Sequence, residues 1–229
     1  MIVNLGGTST KLALYDDETL VCEGSFRHTD EEIAACVDND AQIAFRSKVA
    51  TEWIRENNLD LDQLNAVVFR LSQTGGLSTV GGTYCIEGPL KDSVLKVYED
   101  SFPKAMHPSF IAYPLILSLL DGREIPVYAV DPDDVNEFSD VACVSGHPDF
   151  PRSNGVHMLN HKAVARKASA DLGKKYQDTK LVVAHLGGGV SIASHDHGRV
   201  VDGTNGGPAG EGPFSTSRSG ALPIDKVAQ

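Results

Sequence analysis

The sequence predicts an α/β fold, and three observations carry that prediction. A helical apolar pattern over residues 33–57 runs into the β-branched stretch Ala66-Val67-Val68-Phe69, the helix-then-strand order of layered α/β proteins. A second β-branched stretch covers residues 125–130 and stops at Asp131-Pro132. Two glycine turns lie between apolar runs at opposite ends of the chain, Asn4-Leu5-Gly6-Gly7-Thr8 and His185-Leu186-Gly187-Gly188-Gly189. That echo fits a duplicated β-hairpin or two unrelated turns, because a tight hairpin needs glycine for positive φ in either case.

Along the chain, residues 1–4 and 12–15 are short apolar runs flanking the small polar turn Gly6-Gly7-Thr8-Ser9-Thr10, which makes strand, loop, strand. Ile43, Val49, Ala50, Trp53 and Ile54 fall at helical spacing within 33–57. Gly75-Gly76 and Gly81-Gly82 punctuate a loop before a strand at 83–86, and residues 109–120 form an apolar helix despite Pro114. A basic amphipathic helix is expected over 160–176. Strands at 181–185, 190–194 and 199–202 then make a meander turning at the triple glycine and at Asp196-His197-Gly198. From residue 203 onward the chain is a glycine- and proline-rich loop.

Composition narrows the function. With 229 residues, 41% hydrophobic, the chain can build a core, and a net charge of −11 gives no electrostatic case for nucleic acid or an anionic membrane. Small molecules are the expected partners. Residues 1–150 carry 10 basic and 25 acidic side chains, a balance of −15, whereas 151–229 carry 10 and 6, a balance of +4, so a polyanion site should lean on the C-terminal part. Cys22, Cys36, Cys85 and Cys143 are scattered without metal-ligand spacing, and no run of about 18 apolar residues occurs. A cytoplasmic protein with reduced thiols is expected.

A loop of small residues between strands exposes consecutive backbone N–H groups, which bind phosphate oxygens without a clashing Cβ. Gly6, Gly7, Thr8, Ser9, Thr10 and Lys11 form one such loop and Gly187, Gly188 and Gly189 a second. The first opens a strand rather than a helix and lacks the GxxxxGK[ST] spacing, which excludes P-loop and dinucleotide-fold readings.

Four segments resemble the signatures of the butyrate kinase branch of the acetokinase family, within the actin, sugar kinase and Hsp70-like superfamily. They are Ile2-Val3-Asn4-Leu5-Gly6-Gly7-Thr8-Ser9-Thr10-Lys11, Asn160-His161-Lys162-Ala163-Val164-Ala165-Arg166, Val183-Ala184-His185-Leu186-Gly187-Gly188-Gly189, and Gly210-Glu211-Gly212-Pro213-Phe214-Ser215-Thr216-Ser217-Arg218-Ser219-Gly220. The resemblance implies a ribonuclease H-like domain at 1–152 and an incomplete second copy at 153–229. It implies reversible transfer of the ATP γ-phosphoryl to butyrate or a similar short-chain carboxylate, with Mg2+, in a homo-oligomer. Acetate or propionate kinase activity, or a catalytically silent fragment, is the alternative, since family members continue through the rest of a second domain.

By resemblance, Arg218 reaches the transferring phosphoryl group, His157 steadies it, and His185 precedes the second phosphate loop. Asp131 lies beside the catalytic arginines, and Asn4 near the metal and phosphates. Arg70 meets the acyl carboxylate in the family, where Gly-Gly follows directly; here Leu71-Ser72-Gln73-Thr74 intervenes. His107 matches a family histidine followed by Ala-Ser-Asn, where this chain has Pro108-Ser109-Phe110, and Leu5 stands where the family has proline.

Overall fold

The computed structural model describes residues 1–103, 107–205, 212–216 and 218–227, which divide into two compact units. Unit 1 comprises residues 1–77 and 83–130, and unit 2 comprises 78–82 and 131–229.

In unit 1, β1 (Ile2–Gly6), β2 (Ser9–Asp16) and β3 (Thr19–Arg27) form an antiparallel meander. Two helices follow, the short α1 (Asp30–Ala35) and the 18-residue α2 (Asn39–Glu56). The helical pattern over 33–57 is therefore interrupted: Asp38 turns out of the helix and caps α2 by accepting from the Ala41 N–H at 2.8 Å. Strand β4 (Val67–Phe69) pairs parallel with β1, and β6 (Val127–Val130) pairs parallel with β4. Strand β5 (Thr83–Cys85) closes the edge, giving the order β3-β2-β1-β4-β6-β5. Helix α3 (Gly88–Asp100) begins with Pro89 in its first turn, where proline's missing N–H costs nothing. Helix α4 (Ala112–Leu120) buries Leu115, Ile116 and Leu119 in one cluster with Val3, Leu5, Trp53, Val67, Phe69 and Ala129.

Unit 2 holds α5 (Met158–Asp171) and a second antiparallel meander of β7 (Lys180–Leu186), β8 (Val190–Asp196) and β9 (Arg199–Gly203), with α6 (Ile224–Val227) near the end. Both glycine turns of the sequence echo thus join the first and second strands of a three-stranded meander. Residues 131–152, which the sequence places with the N-terminal domain, belong to unit 2. Val135, Phe138 and Ala142 share a core cluster there with Val156, Met158, Ala193 and Val200.

Candidate active site

The register of the first hairpin sorts its residues by face. Asn4 lies opposite Lys11 and Gly6 opposite Ser9, so these four share one face, while Leu5 and Thr10 share the other. Asn4, Gly7, Thr8 and Lys11 are exposed, but Thr10 is fully buried. Its hydroxyl contacts His28 Nε2 at 2.9 Å and receives a hydrogen bond from Arg46 at 3.1 Å. Thr10 therefore holds the turn from inside, unlike its exposed neighbours.

Arg46, on α2, is the residue that sequence reasoning missed. Its guanidinium is buried and donates to the carbonyls of Ser9 (2.7 Å), Gly6 (3.0 Å) and Gly7 (3.0 Å). Burial pushes its pKa down to about 10, so it stays charged at neutral pH. A cation that gathers the turn's carbonyls on one side fixes the peptide planes of an anion-binding loop.

Arg70 follows β4 and donates its backbone N–H to the Val3 carbonyl at 3.3 Å. His107 precedes a single 3-10 turn and accepts the Ser109 N–H on Nδ1 at 3.1 Å. The Ser109 hydroxyl touches His107 Nδ1 at 2.8 Å and also the hydroxyl of Ser72. Ser72 lies within the four residues that separate Arg70 from Gly75-Gly76, so unit 1 ties the Arg70 loop to His107.

In unit 2, three of the predicted residues, His157, His185 and Arg218, converge on the 187–189 turn. The rings of His157 and His185 stack nearly parallel, with centroids 3.9 Å apart. A Cβ added to Gly189 would lie 3.1 Å from His157 Cε1 and Nε2 and 3.5 Å from Arg218 Cζ, so a side chain there would press on the His157 ring and force it to give by a few tenths of an ångström. The Ser215 hydroxyl donates to the Gly188 carbonyl at 2.6 Å, and Ser215 and Arg218 exchange backbone hydrogen bonds, which ties the arginine's turn to the glycine turn. Gly210, Glu211 and Ser217 of the same motif lie outside the described residues. Asn160 Nδ2 meets His185 Nδ1 at 2.9 Å, which leaves the proton of that ring on Nε2.

Asp131 directly follows β6 in the left-handed region, φ 44°, and is buried. Its Oδ2 accepts from Arg166 at 2.9 Å, while Oδ1 is 4.0 Å from the Lys162 ammonium and has no hydrogen-bond partner among the described residues. Lys162 is held at 2.7 Å by Glu137, which also accepts the N–H groups of Gly81 and Val200. A Cβ on Gly81 would fall on the Lys162 ammonium and 2.7 Å from Asp131 Oδ1, so a glycine is required at that close approach. Burial works against ionisation of Glu137, but the Lys162 contact and the two N–H donors outweigh it and hold the carboxyl below its ordinary value.

Comparison with known proteins agrees with this architecture. Residues 150–227 match the acetokinase family. The chain is 40% identical to butyrate kinase 1 of Clostridium acetobutylicum, covering 100% of this chain and 62% of that protein. It is 39% identical to a probable butyrate kinase of Clostridium botulinum, covering 98% and 61%. The crystal structure of Porphyromonas gingivalis acetate kinase superposes with a TM-score of 0.70 at 18% identity, over 99% of this chain and 62% of that one. A propionate kinase from Francisella tularensis gives 0.69 at 17% identity, over 99% and 62%. The fold is thus that of the acetate kinases, the actin-like ATPase fold, and the chain spans about three fifths of its relatives' length. No described helix is long and apolar enough to cross a membrane. The chain is thus similar to the acetokinase family over residues 150–227 and to butyrate kinases along its whole length.

Proposed function

We propose that the chain binds MgATP and transfers its γ-phosphoryl group to a short-chain carboxylate, with butyrate the preferred acceptor. The observation that carries this is the gathering of the 187–189 turn, His157, His185 and Arg218 in unit 2. Backbone N–H groups, imidazole N–H donors and a guanidinium are what a phosphoryl group in transfer requires, because its charge is spread over three equatorial oxygens. The names of the two bacterial relatives support the choice of acceptor.

A carboxylate is already nucleophilic at neutral pH, so the protein need not remove a proton from it. One carboxylate oxygen bonds to the γ-phosphorus as the bond to the β,γ-bridging oxygen breaks, and ADP leaves with that electron pair. Arg218 and His157 neutralise the moving phosphoryl group, and His185 supports the turn that donates to it. Asn4, Gly6, Gly7, Thr8, Ser9 and Lys11 are assigned to the remaining phosphates, Arg70 and His107 to the acyl group. Thr10 serves this set by anchoring the turn.

The residues fit a magnesium ion that arrives on the nucleotide. Among the described residues no group of three or more His, Cys, Asp or Glu could cage a metal, whereas Asp131 offers one buried carboxylate oxygen without a hydrogen-bond partner. Mg2+ is commonly held by one or two carboxylates plus phosphate oxygens, and when bound it supplies charge neutralisation. Homo-oligomerisation belongs to the same proposal and is read by sedimentation.

Incubating the purified chain with MgATP, butyrate and hydroxylamine tests the proposal, with acetate and propionate as competing acceptors. Butyryl hydroxamate above the blank is the expected result. Absence of product from every acceptor would overturn it and leave a catalytically silent module.

A further inference from the structure

Behind the candidate site, unit 2 contains an unbroken line of polar groups whose ends differ in kind. His157 Nδ1 is 2.8 Å from Ser191 Oγ, and Ser191 Oγ is 2.9 Å from His161 Nε2. His161 Nδ1 is 3.4 Å from His195 Nε2, and His195 Nδ1 is 2.6 Å from the Tyr176 hydroxyl. Ser191, His161 and His195 are buried to 2% exposure or less, and Tyr176 to 6%.

The proton positions along this line follow from counting donors. Burial and neighbouring groups push the pKa of both His161 and His195 down to about 4, so at neutral pH each ring carries a single N–H. Among the described residues the Tyr176 hydroxyl has one polar partner, His195 Nδ1, and burial holds its proton on well above neutrality. If His195 Nδ1 donated, that phenolic proton would be buried without an acceptor, which costs the full desolvation of the hydroxyl. Tyr176 therefore donates, His195 carries its proton on Nε2 and donates to His161 Nδ1, and His161 Nε2–H donates to Ser191. Ser191 Oγ also accepts the His157 backbone N–H at 3.3 Å. With two donors on its oxygen, the one remaining act of that hydroxyl is to donate to His157 Nδ1.

We propose that Tyr176, His195, His161 and Ser191 form a one-way hydrogen-bond relay that positions His157, locking it in the tautomer whose Nε2–H points at the 187–189 turn. The use of that N–H rests on the phosphate-binding reading above; the tautomer itself does not. In this account Ser191 and Tyr176 are positioning residues, and His157 offers a phosphoryl oxygen a proton already in place.

Long-range 1H–15N correlation of the full chain, labelled with 15N-histidine, tests this at neutral pH. His157 should show a protonated Nε2 and an Nδ1 resonance displaced by an accepted hydrogen bond. Ser191→Ala should return that Nδ1 to the position of a free imidazole nitrogen, and Ser191→Thr should restore it. Tyr176→Phe, which keeps the buried ring, should disturb His195 and, through the line, His157. A protonated Nδ1 on wild-type His157, or an unchanged His157 Nδ1 in Ser191→Ala, would overturn the relay. A parallel MgADP titration keeps the two readings apart: the tautomer as assigned with no nucleotide binding sustains the relay and removes the kinase reading alone.

Discussion

A guanidinium in the middle of a helix ordinarily faces water, yet Arg46 is buried and directs four hydrogen bonds at the hairpin turn through Ser9, Thr10, Gly6 and Gly7. Arg46→Ala would strand three carbonyls and the Thr10 hydroxyl without their charged donor. The expected cost is about 2–4 kcal/mol of unfolding free energy, with a weaker nucleotide interaction. Arg46→Lys should recover only part of it, because an ammonium cannot reproduce the planar fork. Denaturant unfolding measures both; equal stability of Arg46→Ala and wild type would remove the turn-clamping role. Nothing in the sequence marks Arg46 as special, since with Ser47 and Lys48 beside it the run reads as polar letters of a solvated face, although the Ser47 hydroxyl too is buried. His161 and His195 left a fainter signal. His157 and His161 are four apart across the start of a helix, while Ser191 and His195 share one face of a strand, and only pairing those two faces brings the four together.

Helix α5 is docked on its meander by neutral histidines rather than by apolar side chains alone, and this makes the packing acid-sensitive. His161 and His195 have folded-state values of about 4 against an ordinary 6.5. The unfolded chain takes up protons below about 6.5 while the folded chain refuses them until about 4. Stability is therefore fully present above 6.5 and lost progressively as pH falls toward 4. Glu137, depressed below its ordinary 4.5, adds a loss of the same sign at lower pH. Thermal melting of the full chain should fall steeply between pH 6.5 and 4, and His195→Gln should flatten that dependence. A pH-independent melting temperature across this window would contradict the neutral pairing of α5 with β8. Of the elements, those flanking the glycine turns are legible because apolar runs switch abruptly to small polar residues. Helix α3 and strand β3 are not, because neither carries a run of fully buried apolar residues: α3 buries only Val94, and β3 has no fully buried residue.

On the scale of the whole molecule, two meanders each open with a glycine turn, and each turn is braced by polar groups. Arg46 and His28 brace the first, and the Ser215 hydroxyl holds the Gly188 carbonyl of the second. The echo Asn4-Leu5-Gly6-Gly7 and His185-Leu186-Gly187-Gly188 was visible in the chain as letters, but its meaning depended on strand order, which no local pattern carries. The unit boundary was hidden for the same reason. Residues 131–152 have weak periodicity, and it is the tertiary packing of Val135, Phe138 and Ala142 that assigns them to unit 2. Calorimetric titration of the chain with MgATP, beside Arg218→Ala and Gly189→Ala, tests the central claim that the 187–189 turn and its arginine grip phosphate. The account predicts saturable binding that weakens about tenfold or more in Arg218→Ala, the loss of one charge-assisted contact. Wild-type protein that takes up no nucleotide, or variants that bind as tightly as wild type, would contradict it.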